Sequence, residues 1–254
     1  MAAHSIVMSK MKKAAPMLAD PFLCRHVPET YIYDPVNFKV MLAKYNTIYL
    51  KPDSGSQGRG IIRLDKLSAG NWSLRHNGSH DIAAAQYLAA TLKPIIGARR
   101  SYLVQQGIEL ATYDNCPFDM RLVLLKPQDI WQLTLTSAKV ALREDAVVTN
   151  VARGARDYPL LDILLNYDQK KDPVAIYKDL IDLVHQGASL LGQRFPLRII
   201  GFDMAVDKDG KIWFLEANTN PQNKQCMLAN DSATVQKYQE AREKIGPRRR
   251  WQRM

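Results

Sequence analysis

Asp203, Glu216 and Asn218 put three oxygen-bearing side chains into one otherwise apolar stretch, "GFDMAVDKDGKIWFLEANTNP" at 201–221. A carboxylate in an apolar run is costly to bury unless a cation offsets it. Two carboxylates and an amide supply hard oxygen donors, which Mg²⁺ takes together with phosphate oxygens in an octahedral shell. Glu216 and Asn218 are two residues apart, so on a strand they share a face, and Leu215 and Ala217 face a core on the other side. Solvated edge residues are the alternative, and three of them on strands this apolar favour the metal set.

A second stretch points to phosphate. In "YLKPDSGSQGRGI", Lys51 ends a β-type run and Gly55, Gly58 and Gly60 follow in a loop. The Lys precedes the glycines and no helix follows, so this is neither a P-loop nor a dinucleotide fingerprint. A glycine-rich hairpin still brings bare backbone N–H groups close to phosphate oxygens, with Lys51 as a point charge. A plain hairpin turn is the other reading. Between the two stretches lie Arg121, Lys139 and Arg153, each on its own no more than a surface charge. Together with a phosphate loop and a metal set they suit stabilisation of a phosphoryl-transfer transition state.

These residues need strands to hold them. "NTIYLK", "IIRL", "NWSLR", "SYLVQQGIEL" and an antiparallel pair, "FDMRLVLLK" and "DIWQLTLTSAKVAL", are predicted as strands. The stretch at 201–221 is predicted as a hairpin turning at Asp207–Gly210. Helices are predicted over 9–19, over 81–93 with Asp81 as cap and Pro94 after it, over 174–195, and over "SATVQKYQEAREKI". Hairpins interleaved with helices make the fold class α+β rather than a doubly wound parallel sheet.

The whole chain sets the remaining bounds. Its 254 residues can bury a sizeable core, and no apolar run approaches the ~20 residues of a membrane span. The N-terminus lacks a signal-type apolar stretch, and the three scattered cysteines exclude a disulfide framework or a zinc site. A cytoplasmic protein is expected. The net charge is +10, and half of it lies from Lys237 onward. The tail "GPRRRWQRM" reads as a solvated end or as a hold for an anionic partner. No nucleic-acid recognition motif is present.

The order of these motifs resembles the ATP-grasp superfamily, nearest its YheC/YheD endospore coat-associated branch and more distantly the glutamate-ligase branch. The resemblance runs from "VPETYIY" at 27–33, through "LVQQGIEL" and "TSAKVALREDAVVTNVARGA", to "EANTNP". It implies two α+β lobes clamping ATP between antiparallel sheets. Residues 46–107 would form the Gly-loop lobe and 108–235 the metal lobe. Residues 1–45 would be a reduced N-terminal region, and 236–254 a C-terminal helix and basic tail. Lys51 would contact phosphates under Ser56, Gln57, Gly58, Arg59 and Gly60. Lys13 would be a further nucleotide contact. Gln105, Gln106, Gly107 and Ile108 would form the hinge beside adenine, and Glu109 would take the ribose hydroxyls. Asp203, Glu216 and Asn218 would bind Mg²⁺, with Mn²⁺ as a substitute. Arg121, Lys139, Asn150 and Arg153 would serve the γ-phosphate and an acyl phosphate.

The chain departs from the family pattern at Lys139, where Arg is usual, at Gly154-Ala155, at Pro221-Gln222 and at Gln105-Gln106. The implied activity is ATP-dependent ligation of a small-molecule or peptide carboxylate to an amine or thiol. The alternative is an ATP-binding scaffold that does not ligate, in a spore coat or similar assembly.

Overall fold

The computed structural model describes residues 4–97, 101–147 and 154–245, and the backbone of 248–250. The chain forms two compact units. One joins Met1–Val27 to Glu109–Met254, and the other is Pro28–Ile108. Residues 1–45 are therefore not a segment of their own, as the sequence led us to expect. The first 27 residues, with β1 (His4–Ile6) and α1 (Lys10–Ala19), belong with the unit formed by Glu109–Met254. Ser9 caps α1 by accepting from the Lys12 N–H.

The 28–108 unit runs β2 (Thr30–Ile32), α2 (Pro35–Lys44), β3 (Thr47–Pro52), β4 (Ile62–Lys66), β5 (Asn71–His76), β6 (Ser79–Ala84), α3 (Leu88–Ile96) and β7 (Tyr102–Gln106). Its antiparallel sheet has the order β2-β7-β3-β4-β5-β6. Ile48, Leu50, Ile62, Leu64, Trp72 and Leu74 line one face and bury against Phe38 and Met41 of α2 and Leu88 and Leu92 of α3. The helix expected over 81–93 is wrong in its first half. Asn77-Gly78, with φ of 46° and 86°, makes a two-residue turn that pairs His76 with Ser79. Asn-Gly is the residue pair such hairpins favour. Cross-strand hydrogen bonding then holds Asp81–Ala84 extended despite their alanines. The helix begins only at Leu88, and Pro94 lies inside it.

The larger unit continues with β8 (Thr112–Tyr113), β9 (Cys116–Leu125), β10 (Gln132–Val140), β11 (Arg156–Tyr158), α4 (Leu160–Asn166), α5 (Pro173–Arg194), β12 (Ile199–Val206), β13 (Ile212–Asn218), α6 (Lys224–Leu228), α7 (Ser232–Glu243) and β14 (Arg248–Arg250). The strand order is β11-β10-β9-β12-β13, all antiparallel, with β8 beside β9. One face, including Phe118, Met120, Leu122, Phe202 and Met204, packs against Ile176, Leu180, Val184 and Leu191 of α5. Gly187 lets α5 approach: a Cβ there would lie 3.2 Å from the rings of Phe202 and Phe214. On the other face, Val123, Leu125, Leu135 and Ile199 are covered by Cys226, Tyr238, Ala241 and Ile245. The rest of that face is polar and carries the site below.

The β12–β13 hairpin is set by Asp207, whose carboxylate accepts from the N–H groups of Asp209 and Lys211 and from Trp213 Nε1. A bulge between the Asp203–Glu216 and Met204–Phe214 pairs breaks strict alternation. Leu215 is the extra residue, so Phe214 rather than Leu215 joins Ala217 in the core, against expectation. Part of the C-terminal basic run is paired: the backbone of Arg248–Arg250 runs parallel to His4–Ile6. Among the described residues no helix is long and apolar enough to cross a membrane.

Candidate functional site

Register places the charged residues of the larger unit on one face. Directly opposed residues of antiparallel strands point to the same side. The pairs Asp157↔Lys139, Lys139↔Asp119, Ser137↔Arg121, Arg121↔Asp203, Asp203↔Glu216 and Gly201↔Asn218 follow one another across β11, β10, β9, β12 and β13. The row that results is polar on a sheet whose opposite face is core.

Asp203 is its hub. Arg121 grips it with two prongs, Nε to Oδ1 at 2.6 Å and an Nη to Oδ2 at 3.0 Å. Lys139 Nζ lies 3.2 Å from Oδ1, and Asn218 Nδ2 donates to Oδ2 at 2.8 Å. Burial alone would raise the Asp203 carboxyl, but Arg121 and Lys139 outweigh it and hold the group at about 2. Burial pulls the Lys139 ammonium down, and Asp119 and Asp203 more than reverse this. Lys139 also lies 2.5 Å from Asp119, which is 6 % exposed. Ser137 donates to Asp157 at 2.6 Å. Gly201 leaves room for this packing, since a Cβ there would come within 2.9 Å of Pro221 and 3.5 Å of the Arg121 stem.

Glu216 has a different set of partners. Lys10 and Lys13 of α1 place their ammonium groups 3.4 and 3.8 Å from its Oε1. Four cations, Lys10, Lys13, Arg121 and Lys139, thus face three carboxylates, Asp119, Asp203 and Glu216. Asp157, in the same row, makes the count four against four, so a bare metal ion would find every carboxylate already beside a cation, whereas an ion accompanied by a polyphosphate brings oxygens for those cations. Asp203, Glu216 and Asn218 fit such an ion as donors, because all three are hard oxygen ligands on one face of paired strands. Among the described residues no three His, Cys, Asp or Glu side chains form a metal cage. The shell would therefore draw on Asn218 and on ligand oxygens.

In the 28–108 unit, Lys51 lies near the end of β3, opposite Leu103, and is 8 % exposed. The following loop is exposed at Ser56, Gln57 and Arg59. Gln57, Gly58 and Gly60 have φ of 61°, 64° and 76°, and the Arg59 and Ile61 N–H groups close tight turns onto Ser56 O and Gly58 O. Arg59 donates to the Gln57 amide oxygen. In the stretch expected beside adenine, Gln105 donates its side-chain amide to Thr30 at 2.7 Å, and Gly107 N–H donates to Thr47 O at 2.8 Å. Gln105 lies on β7 between β2 and β3, so its backbone is part of the sheet as well. Glu109, in the larger unit, is 85 % exposed at its side chain and 3.8 Å from Lys208.

Asn150 and Arg153 lie outside the described residues. Arg121, Lys139, Asp203, Glu216, Asn218 and Lys13 come together in one cluster. The sequence reading passed over Lys10, Asp119, Ser137 and Asp157. Three of these carry a local signal: Asp119 and Ser137 are two residues before Arg121 and Lys139 on their strands, and Lys10 is one helical turn before Lys13.

A family model described as YheC/D like ATP-grasp matches residues 3–243. The endospore coat-associated protein YheD of Bacillus subtilis (strain 168) is 26% identical over 184 residues, covering 70% of this chain and 40% of that protein. Its companion YheC is 25% identical over 222 residues, covering 84% and 60%. The chain thus spans between two-fifths and three-fifths of the length of these relatives. Among solved structures, the ATP-grasp ligase PsnB complexed with minimal precursor, Mg and ADP superposes with a TM-score of 0.54 at 14% identity, covering 93% of this chain and 58% of that one. N5-carboxyaminoimidazole synthase from Aspergillus clavatus, with ADP and 5-aminoimidazole ribonucleotide, gives 0.54 at 12% identity, covering 86% and 46%. The shared fold is the α+β ATP-grasp fold.

Proposed function

The chain belongs to the YheC/D-like ATP-grasp family, and from that membership and the polar face of its larger unit we propose an ATP- and Mg²⁺-dependent ligase that joins a carboxylate to an amine or thiol. The observation that carries the proposal is the Asp203 hub. A part-buried carboxylate gripped by Arg121 and Lys139 stands beside Asn218 and opposite Glu216.

The chain's own residues have distinct parts. Lys51 and the loop of residues 56–60 hold phosphate oxygens, and Gln105–Ile108 hold the base through backbone groups other than the Gln106 and Gly107 N–H groups, which donate to Glu29 O and Thr47 O. Glu109, exposed and on the surface, is free to turn to the ribose. Arg121 and Lys139 are fixed in place by Asp203 and Asp119, so they need little reorganisation as charge builds on the transferring phosphoryl group. The resemblance assigns Asn150 and Arg153 to the same task. When bound at Asp203, Glu216 and Asn218, Mg²⁺ would offset phosphate charge and orient the γ-phosphate. A substrate carboxylate oxygen then forms the new P–O bond as the bond to ADP breaks. An amine or thiol then attacks the carbonyl carbon of the acyl phosphate, forming the C–N or C–S bond as the C–O bond to phosphate breaks; inorganic phosphate leaves and the nucleophile's proton passes to it or to solvent. Lys139 in place of the family's usual Arg gives one point of contact rather than two prongs.

The test is release of ADP and phosphate from Mg²⁺-ATP across a panel of carboxylate, amino-acid and peptide acceptors. Glu216→Gln is expected to abolish turnover and keep the fold. Unchanged turnover in that variant would overturn the metal assignment. The names of the two curated relatives favour a second reading, a nucleotide-binding coat component that does not ligate. Nucleotide binding with no ADP release on any acceptor would select it.

A further inference from the structure

The N-terminal segment is tied to the metal strand by its own set of hydrogen bonds. The Arg198 N–H donates to His4 Nδ1 at 3.0 Å, so Nε2 carries the ring proton and donates to Thr219 O at 2.6 Å. The Val7 N–H donates to Thr219 Oγ1 at 2.8 Å, and the Ser5 N–H to Pro196 O at 3.0 Å. Thr219 directly follows Asn218. This anchoring sets α1 so that Lys10 and Lys13, three apart on one helical face, both approach Oε1 of Glu216. Their side chains are 10% and 5% exposed, and that of Glu216 is 22% exposed, so solvent screens the three charges little.

We infer that Lys10 and Lys13 are a resident countercharge that bars a bare divalent ion from Glu216, so that metal enters only with a polyphosphate. The inference rests on the nucleotide reading above and adds an order of loading to it. Asp203 is already offset by Arg121 and Lys139, which leaves Glu216 as the carboxylate a metal must win. A bare ion gains that one carboxylate and meets two ammonium groups at close range. A polyphosphate brings oxygens that accept from the ammonium groups, and the carboxylate is released to the metal in the same event. Lys10 is thereby a positioning residue, acting on the metal through Glu216.

The test follows free Mn²⁺ by its electron paramagnetic resonance signal, using the full chain. Wild type is expected to leave the signal intact with Mn²⁺ alone and, with ADP added, to lower it beyond the loss that ADP itself causes by chelating Mn²⁺ without protein. Lys10→Met/Lys13→Met, which keeps apolar stems in the two near-buried positions, is expected to bind Mn²⁺ without ADP roughly tenfold tighter or more, the lower bound for coupling between close charge pairs. Should that double variant fail to fold, Lys10→Met alone carries the same expectation. Wild type binding Mn²⁺ alone as tightly as with ADP overturns the inference, and so does a folded variant that gains nothing. If ADP has no effect but the variant still gains Mn²⁺, the countercharge stands and the nucleotide reading falls.

Discussion

Asp203→Asn tests whether the hub is held by charge. The change keeps the shape and the hydrogen bond with Asn218 but removes the anion that Arg121 and Lys139 share. The magnitude follows from the carboxyl itself, held at about 2 against an ordinary 3.8. A depression of that size is worth about 2 kcal/mol at neutral pH. Breaking a buried pair while one partner stays behind costs about 3–5 kcal/mol, and here Asp119 still serves Lys139. The expected loss is therefore about 2–4 kcal/mol, or roughly 5–15 °C in Tm for a chain of this size. The sign with pH is fixed. A depressed carboxyl contributes its full stability above 3.8 and loses it as pH falls through about 2. The gap between wild type and variant should thus be full at pH 7 and close toward pH 2. Urea unfolding read by tryptophan fluorescence at several pH values measures it. A gap below about 0.5 kcal/mol at pH 7, the ordinary range for surface substitutions, would refute the reasoning.

Three further outcomes are expected. Gly107→Ala would bring a Cβ to 2.7 Å from Thr47 O, backbone that cannot give way, so the 28–108 unit should lose about 1–3 kcal/mol in a thermal melt. Hydrogen exchange at residues 54–60 should slow when Mg²⁺-ATP is added, whereas equal rates in both states return the loop to a plain hairpin. A chain ending at Gly246 should exchange faster at His4–Ile6, because its parallel partner at Arg248–Arg250 is gone; unchanged protection there would show that β14 contributes nothing to holding the N-terminus.

What could be read from the sequence was local. The 201–221 hairpin and α5 carry their own turn and periodicity, and the spacing of Glu216 and Asn218 gave their shared face. The bulge at Leu215 left no mark in the alternation. Asn77-Gly78 was a turn signal in plain view, but the alanines after it were read for their helix propensity. The pairing of Arg121 and Lys139 with Asp203 depends on register among strands 64 and 82 residues apart in the chain, which no window of sequence contains. For the same reason Lys10, at the far end of the chain from Glu216, was passed over. Composition marks the basic tail only by its charge and does not record that β1 offers Arg248–Arg250 a backbone partner.

A crystal structure with Mg²⁺ and a non-hydrolysable ATP analogue tests the central claim most directly. The account predicts the metal between Asp203, Glu216 and Asn218 and the terminal phosphates. It also predicts Arg121 and Lys139 on the γ-phosphate, with Lys10 and Lys13 turned from Glu216 toward phosphate oxygens. A nucleotide bound with its metal held elsewhere, and Glu216 still paired with both lysines, would contradict it.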